Sequence, residues 1–348
     1  MPPSRAPSSG RRALTDPLKR YRGAIIGSGA IARNAHWPAF RDGTGVNDRV
    51  EIVAVVDPAD VPPVPGIPLL KSREELLALG PLDFIDICTP TSSHVELVLW
   101  GLAHGVHVVC EKPVALTREE AARIADRARA AGRVVMPCHQ YRYNPAWMQV
   151  RHWLDDGAIG HWHLAEFSVY RPFADQGSQG GSGPPWRAQS GAGRGGVLLD
   201  HGTHLIYQII DVAGPPQHVQ AWTGRLLHQS YEVEDTASVL LEYPNRLARL
   251  FLTWAGRTRE NHIRFIGTTG SIAWEGGELR LERDGRIERT DFSRELDKAS
   301  YWRWFACLFQ EFVAAMDRDA REDPLLDIAQ VAAVLEQAYA IGPHPSIS

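Results

Sequence analysis

Between Tyr21 and about Cys138 the chain alternates short apolar runs with amphipathic helical stretches. The runs are Gly23 to Ile26, Ile52 to Val56, Phe84 to Cys88, Val106 to Cys110 and Val134 to Met136. Unbroken apolar character over so few residues suits strands buried on both faces, and helices between them make βαβ units around a parallel sheet. Ser72 with Glu75, Ser93 with Glu96 and Thr117 with Glu120 have capping-box spacing and predict helix starts. Residues 21–140 are expected to form a Rossmann domain.

After Asn144-Pro145 the pattern changes. A helix is predicted from about Ala146 to Asp155, then a strand from His161 to Tyr170, a Gly/Ser/Pro-rich stretch from Gly177 to Gly196, and an apolar helix around His204 to Val212. From Gln217 to about Arg289 come successive runs, among them Ala237 to Tyr243, Leu247 to Trp254 and His262 to Ile266. Turns are marked by Pro244-Asn245, Thr269-Gly270 and Asp284-Gly285. Strands joined by short turns predict a large, mostly antiparallel open sheet. Helices near Tyr301 to Met316 and Leu325 to Tyr339 end the pattern. The aromatics Tyr301, Trp302, Trp304, Phe305, Phe309 and Phe312 read as the buried stripe of the first of these. The expected class is therefore α/β, with a second α/β domain over 141–342 whose last helix either stays with it or packs back on the first.

Composition narrows the function. With 41 acidic against 37 basic residues among 348, and no basic block interleaved with aromatics, nucleic acid is not an expected partner. The N-terminal stretch carries Arg5, Arg11, Arg12, Lys19, Arg20 and Arg22 among Pro, Ser and Gly but no apolar core of a signal peptide. A disordered leader over 1–20 is expected, and a soluble, cytoplasmic protein with no membrane partner. Cys88, Cys110, Cys138 and Cys307 show no C-x-x-C pairing and read as small apolar residues of a reducing compartment. His161 and His163 alternate along a strand as a solvated face would, so no metal site is expected. His36 and Trp37, after the first glycines, either face a cleft or pack.

The chemistry concentrates at two places. Gly27-Ser28-Gly29-Ala30-Ile31-Ala32 is G-x-G-x-x-A between a predicted strand and helix. Its first glycine permits the tight turn, its second lets a pyrophosphate approach the backbone, and Ala32 keeps helix and strand close. Asp57 ends the second strand, where a carboxylate accepts the ribose hydroxyls of NAD and repels the 2′-phosphate of NADP, and no Arg or Lys follows in Pro58-Ala59-Asp60. NAD is the expected cofactor, although Asp57 with Pro58 also fits a plain turn. Glu111-Lys112-Pro113 follows the fourth apolar run and puts a lysine at the carboxyl end of a buried strand, where open α/β sheets hold their ligands.

Together with Thr89-Pro90 and His94, Arg142-Tyr143-Asn144-Pro145, Trp186-Arg187 and the run Gly195 to His204, these motifs stand in the order found in the Gfo/Idh/MocA oxidoreductases, which the chain resembles from about Tyr21 to Tyr339. The resemblance implies an NAD-dependent dehydrogenase or reductase acting on the secondary alcohol or ketone of a sugar, cyclitol or related polyhydroxylated compound. It implies cofactor contacts from Gly27, Gly29, Ala30, Ile31, Asp57, Thr89, Pro90, His94, Glu111, Lys112, Trp186 and Arg187. Substrate contacts would come from Lys112, Arg142, Asp200, His201 and His204, and catalytic groups from Lys112, Asp200 and His204. It further implies a homodimer or homotetramer through the second-domain sheet. Asp200 and His204 are four apart and share a face if helical, and histidine titrates in the range needed to take an alcohol proton. Thr91 stands where many relatives have asparagine, and the Gly177 to Gly193 stretch fits a substrate lid or a surface loop. A hydride-recycling NAD-dependent glycosidase and a non-catalytic sugar sensor remain as alternatives.

Overall fold

The computed structural model describes residues 19–41, 43–175 and 185–340. Residues 1–18 of the expected leader, and 177–184 of the glycine-rich stretch, lie outside the described residues. The apolar runs form β1 (Tyr21–Ile26), β2 (Val50–Val56), β4 (Phe84–Ile87), β5 (His107–Cys110) and β6 (Val135–Pro137), with a two-residue β3 (Leu69–Leu70) that the pattern did not mark. Every pairing is parallel and the order is β3-β2-β1-β4-β5-β6. The order reverses between β1 and β4, and the crevice at that switch point is where such a sheet takes a dinucleotide.

Helices α1 (Trp37–Ala39), α2 (His94–Ala103) and α3 (Arg118–Ala131) belong to this half. Two of the three predicted capping boxes form. The Ser72 hydroxyl and the Glu75 carboxylate cap Arg73–Leu79, and Thr117 Oγ1 accepts the Glu120 N–H while Glu120 reaches back to the Leu116 N–H. The third does not: Ser93 Oγ donates to Thr89 Oγ1 at 2.7 Å and to Pro90 O at 2.9 Å, so α2 starts without a side-chain cap. The hydroxyl is spent on bracing the Thr89-Pro90 turn.

The second sheet has eight strands in the order β14-β13-β12-β11-β7-β10-β9-β8. These are β7 (Trp162–Tyr170), β8 (His218–Gly224), β9 (Thr236–Tyr243), β10 (Arg246–Thr253), β11 (Glu260–Gly267), β12 (Gly270–Glu275), β13 (Glu278–Arg283) and β14 (Arg286–Asp291). Only the central pair β7 and β10 runs parallel. Asp284 and Gly285, both at positive φ, make the tight hairpin between β13 and β14. Helix α4 (Pro145–Asp155), capped by Asn144, and an apolar helix bury Trp147, Val150, Ile206 and Ile209 against one face of this sheet. A short α5 (Ser190–Gly193) precedes the latter, α6 (Thr203–Ala213).

Helices α7 (Trp302–Arg318) and α8 (Glu322–Ala340) return to the first domain. Trp304, Phe305, Phe309 and Phe312 are buried, the expected stripe, and Phe305, Phe309 and Phe312 share a core with Ile25 and Phe84. Along α8, Leu325, Ile328 and Ala332 join the other face of the Rossmann sheet, while Val334 and Leu335 join the second core. One helix thus stitches the two sheets together and fixes the crevice between them.

Candidate active site

The glycine turn is built as its residues demand. Gly27 has φ +96, and a Cβ there would lie 2.8 Å from the Cys88 carbonyl, so only glycine lets β1 end this close to β4. A Cβ on Gly29 would meet nothing within 4 Å, which leaves open the side from which a pyrophosphate approaches. Asp57 Oδ2 accepts the Ser28 N–H at 2.8 Å and Oδ1 accepts the Ala59 N–H at 2.9 Å. It therefore ties β2 to the glycine turn and also makes the Asx-type turn with Pro58, at the end of the second strand where this fold takes a ribose. Glycine cradle and acid fit a dinucleotide.

One cation here was not foreseen. Arg33 donates from Nε to Ser28 O at 2.7 Å, and from Nη2 to Ser28 Oγ at 2.9 Å and to Pro62 O. Sequence reasoning looked for a basic residue after Asp57, whereas this one reaches the same rim from the helical turn after the glycines. His94 is buried, and its ring spans Thr89 O at 2.9 Å and Pro113 O at 2.8 Å. His94 therefore braces the Thr89-Pro90 turn against the Glu111-Lys112-Pro113 turn, its neutral ring donating to one of the two carbonyls and lying against the other.

Across the crevice, Lys112 Nζ donates to the Asp200 main-chain O at 2.6 Å and lies 3.2 Å from Asp200 Oδ1. Asp200 sits in a wide π-helical turn, Leu198–Gly202, that leads into α6. Such turns are rare and are frequent at functional sites. Glu234 shapes it: its carboxylate accepts the Gly196 and Leu198 N–H groups and the Tyr339 hydroxyl, and a Cβ on Gly196 would lie 1.9 Å from Glu234 O. Burial raises the Asp200 pKa, but Lys112, then His201 and Arg187, outweigh it and hold the carboxyl well below the usual range. Arg187 Nε approaches Asp200 Oδ1 at 3.4 Å, and its guanidinium stacks 4.4 Å from the Trp186 ring centre. Trp186-Arg187 thereby joins the lysine–aspartate pair.

His204 is buried, and its Nδ1 lies 2.8 Å from Tyr207 Oη. Desolvation, then the charges of Lys112 and His201, hold its pKa well below the usual value, so the imidazole is neutral at pH 7. His201 Nε2 is 3.6 Å from Asp200 Oδ2, and desolvation with the nearby cations brings its pKa down to about 4. Both histidines line a cavity between α6 and the covered face of the eight-stranded sheet, with Tyr141, Arg171, Gln208 and Asn261. A wider cleft of about 670 Å³ between α3 and α8 has alanines and surface ion pairs for walls and none of these groups.

Two expected contacts lie elsewhere. Arg142 is salt-bridged to Asp327 and, at 3.4 Å, to Asp211, and its guanidinium lies 5.9 Å from the Tyr207 ring centre. These ion pairs tie the turn before α4 to α6 and α8. Glu111 turns inward: Oε1 is 3.0 Å from His36 Nε2 and Oε2 accepts the Lys112 N–H at 3.1 Å. His36 Nδ1 is 2.8 Å from Asp86 Oδ2, and the ring packs 4.5 Å from Phe305. His36 therefore packs rather than facing the cleft. His36 shares two triads, one with Glu111 and Cys138 and one with Asp86 and Cys88, and within each the donor atoms lie within 4.8 Å of one another, a metal-like arrangement that the sequence did not suggest. Both ring nitrogens are already engaged by carboxylates.

The comparisons with known proteins cover both halves. A family model described as an oxidoreductase family with an NAD-binding Rossmann fold matches residues 21–139, and the GFO/IDH/MocA C-terminal domain matches residues 147–273. The D-apiose dehydrogenase of Paraburkholderia graminis is 31% identical over 286 residues, 79% of this chain and 71% of that protein. The D-glucoside 3-dehydrogenase of Escherichia coli is 27% identical over 72% of this chain and 75% of its own length. An oxidoreductase from Agrobacterium radiobacter, solved with NAD+, L-tartaric acid and magnesium, superposes with a TM-score of 0.80 at 24% identity over 92% of this chain and 96% of that one. On these matches the chain belongs to the GFO/IDH/MocA family of oxidoreductases.

Proposed function

We propose that this protein is an NAD-dependent dehydrogenase that interconverts a secondary alcohol and a ketone on a sugar or related polyhydroxylated compound. The observation that carries this reading is the Lys112–Asp200 pair set across the crevice from the Gly27–Gly29 turn, with His204 in the adjoining cavity. Relatives named for D-apiose and D-glucoside oxidation support the substrate class.

The nicotinamide, when bound, accepts or returns hydride, and the chain's own residues handle the proton. Neutral His204 takes the hydroxyl proton at Nε2 in the tautomer whose Nδ1–H donates to Tyr207 Oη. Lys112 hydrogen-bonds the same oxygen and stabilises the alkoxide that develops there. Asp200 keeps Lys112 aimed. Gly27, Gly29, Ala30 and Ile31 would cradle the pyrophosphate, and Asp57 the adenosine ribose, with Thr89, Pro90, Trp186 and Arg187 lining the nicotinamide end. His201 would contact substrate beside His204.

The test is stoichiometry. Oxidation of a free polyol should yield one NADH per product formed, read by absorbance. Several products per cofactor without a second redox substrate would instead mean hydride recycling, as in an NAD-dependent glycosidase, and no turnover on any polyol would favour a sensor. Cofactor choice gives a second check: NAD(H) should bind more tightly than NADP(H), and Asp57→Ser should narrow the gap in a fluorescence titration. Equal or tighter NADP(H) binding by the unmutated protein, with Arg33 taking the 2′-phosphate, would refute the assignment of Asp57.

We place the protein in the cytoplasm as a homo-oligomer. The described cysteines are all free thiols, as a reducing compartment keeps them. Tyr170, Leu240 and Phe251, only partly buried, lie on the sheet face turned away from α6, alternating with buried Val169, Leu241 and Leu252. No helix among the described residues is long and apolar enough to cross a membrane.

A further inference from the structure

The cavity under α6 holds a buried cation with no carboxylate hydrogen-bonded to it among the described residues. Arg171, at the end of β7, is 6% exposed. Its Nη1 donates to Tyr170 O at 2.6 Å and Glu260 O at 2.9 Å, and its Nη2 to Asn261 Oδ1 at 2.8 Å, all uncharged acceptors. Its Nε is buried without a hydrogen-bond partner among the described residues. The Glu260 carboxylate is turned to the Thr258 hydroxyl and to His262 Nε2 instead.

The surroundings add positive charge. Arg259, exposed just before β11, acts on Arg171, Tyr141 and His201 through its field. Lys112 also acts on His201, and Arg187 approaches from the same side. The carboxylate whose field reaches Arg171 is Asp200, and it is already engaged by Lys112 and Arg187. Desolvation, then Arg259, brings the Arg171 pKa down to about 10, as expected of a buried cation short of counter-charge. Burying a guanidinium without an anion is costly, and its planar edge is suited to a carboxylate.

We infer that Arg171 anchors an anion subsite of the substrate cavity, with Arg259 adding to its positive field, and that the substrate is a polyhydroxylated carboxylic acid whose carboxylate sits there while its reacting hydroxyl faces Lys112 and His204. Arg171 and Asn261 line this cavity together with His201 and His204, so a carboxylate at the guanidinium lies beside the groups that meet the reacting hydroxyl. This deepens the dehydrogenase reading and rests on it only for the reacting hydroxyl.

The test uses the NAD-saturated protein and pairs of ligands that differ in the acid group: D-glucuronate with D-glucose, D-galacturonate with D-galactose, and D-gluconate with D-glucitol, titrated by calorimetry. At least one acid should bind about tenfold or more tightly than its neutral partner, a difference that charge-assisted hydrogen bonds supply. Arg171→Met should abolish that advantage. Arg259→Ala, on the exposed turn and harmless to folding, should reduce it several-fold. The inference is overturned if no acid binds more tightly than its neutral partner, or if the advantage survives Arg259→Ala and a folded Arg171→Met unchanged. Acid binding without NADH formation would remove the dehydrogenase reading and keep the subsite; NADH formation from neutral sugars with no acid preference would do the reverse.

Discussion

Lys112→Ala should lower turnover by about two orders of magnitude or more, the usual contribution of a positioned proton-handling group. The ammonium is only 11% exposed and held by two oxygens of Asp200, so its place is set before substrate arrives. The variant should still fold, because Arg187 and His201 remain beside Asp200. His204→Ala should cost a comparable factor while leaving NAD affinity nearly unchanged, since α6 belongs to the other sheet. Near-normal turnover in either variant removes that residue from the mechanism. The pH profile offers an independent reading. A histidine base of ordinary pKa would halve kcat/KM near pH 6.5, whereas His204 and His201 both titrate lower, so the acid limb should fall below pH 6.

How much of this was legible in the chain depends on how local the signal is. Strands β1, β2, β4, β5 and β6 announce themselves because burial on both faces forces unbroken apolar runs, whereas β3 is two leucines after a proline-rich stretch and carries no period at all. Motifs placed Lys112 and Asp200 without saying that they touch; 88 residues separate them, and only the packing of the π-helical turn against the end of β5 brings the ammonium onto the aspartate. The motif around Arg142 does not show its ion pair with Asp327, because the partner stands 185 residues away. Arg171 gave no signal because an arginine ending a strand is ordinary until the fold surrounds it with carbonyls and other cations. Arg33 carries no signal for a narrower reason: it stands upstream of Asp57, and only the fold brings it to Ser28 and Pro62.

The same limit hid His36, whose partners lie 50 and 75 residues further on, and it carries the largest expected effect on stability. Its ring and the Asp86 side chain are wholly buried, and Glu111 nearly so. Desolvation lowers the His36 pKa, but Asp86 and then Glu111 outweigh it and push it up to about 9. His36→Ala would leave two buried carboxylates facing each other without a cation and should cost about 3–5 kcal/mol, read by urea denaturation. A loss below about 1 kcal/mol would mean the imidazole is neutral and the group is a plain hydrogen-bond chain. Titration separates charge from packing. A folded pKa of about 9 against an unfolded value of about 6.5 corresponds to roughly 3 kcal/mol, fully present below pH 6.5 and lost as pH rises toward 9. The three buried cysteines, whose pKa values burial raises, also withdraw stability once unfolded thiols ionise above about pH 8.5, so the diagnostic window is 6.5 to 8.5. Across that window the unmutated protein should lose stability that His36→Gln, less stable throughout but without a titrating ring, does not lose. Parallel stability curves for the two would show that His36 carries no charge in the folded state. Because Glu111 Oε2 also holds the Lys112 N–H, a variant that releases Glu111 should lower kcat as well as stability, linking the buried ion group to the lysine at the crevice.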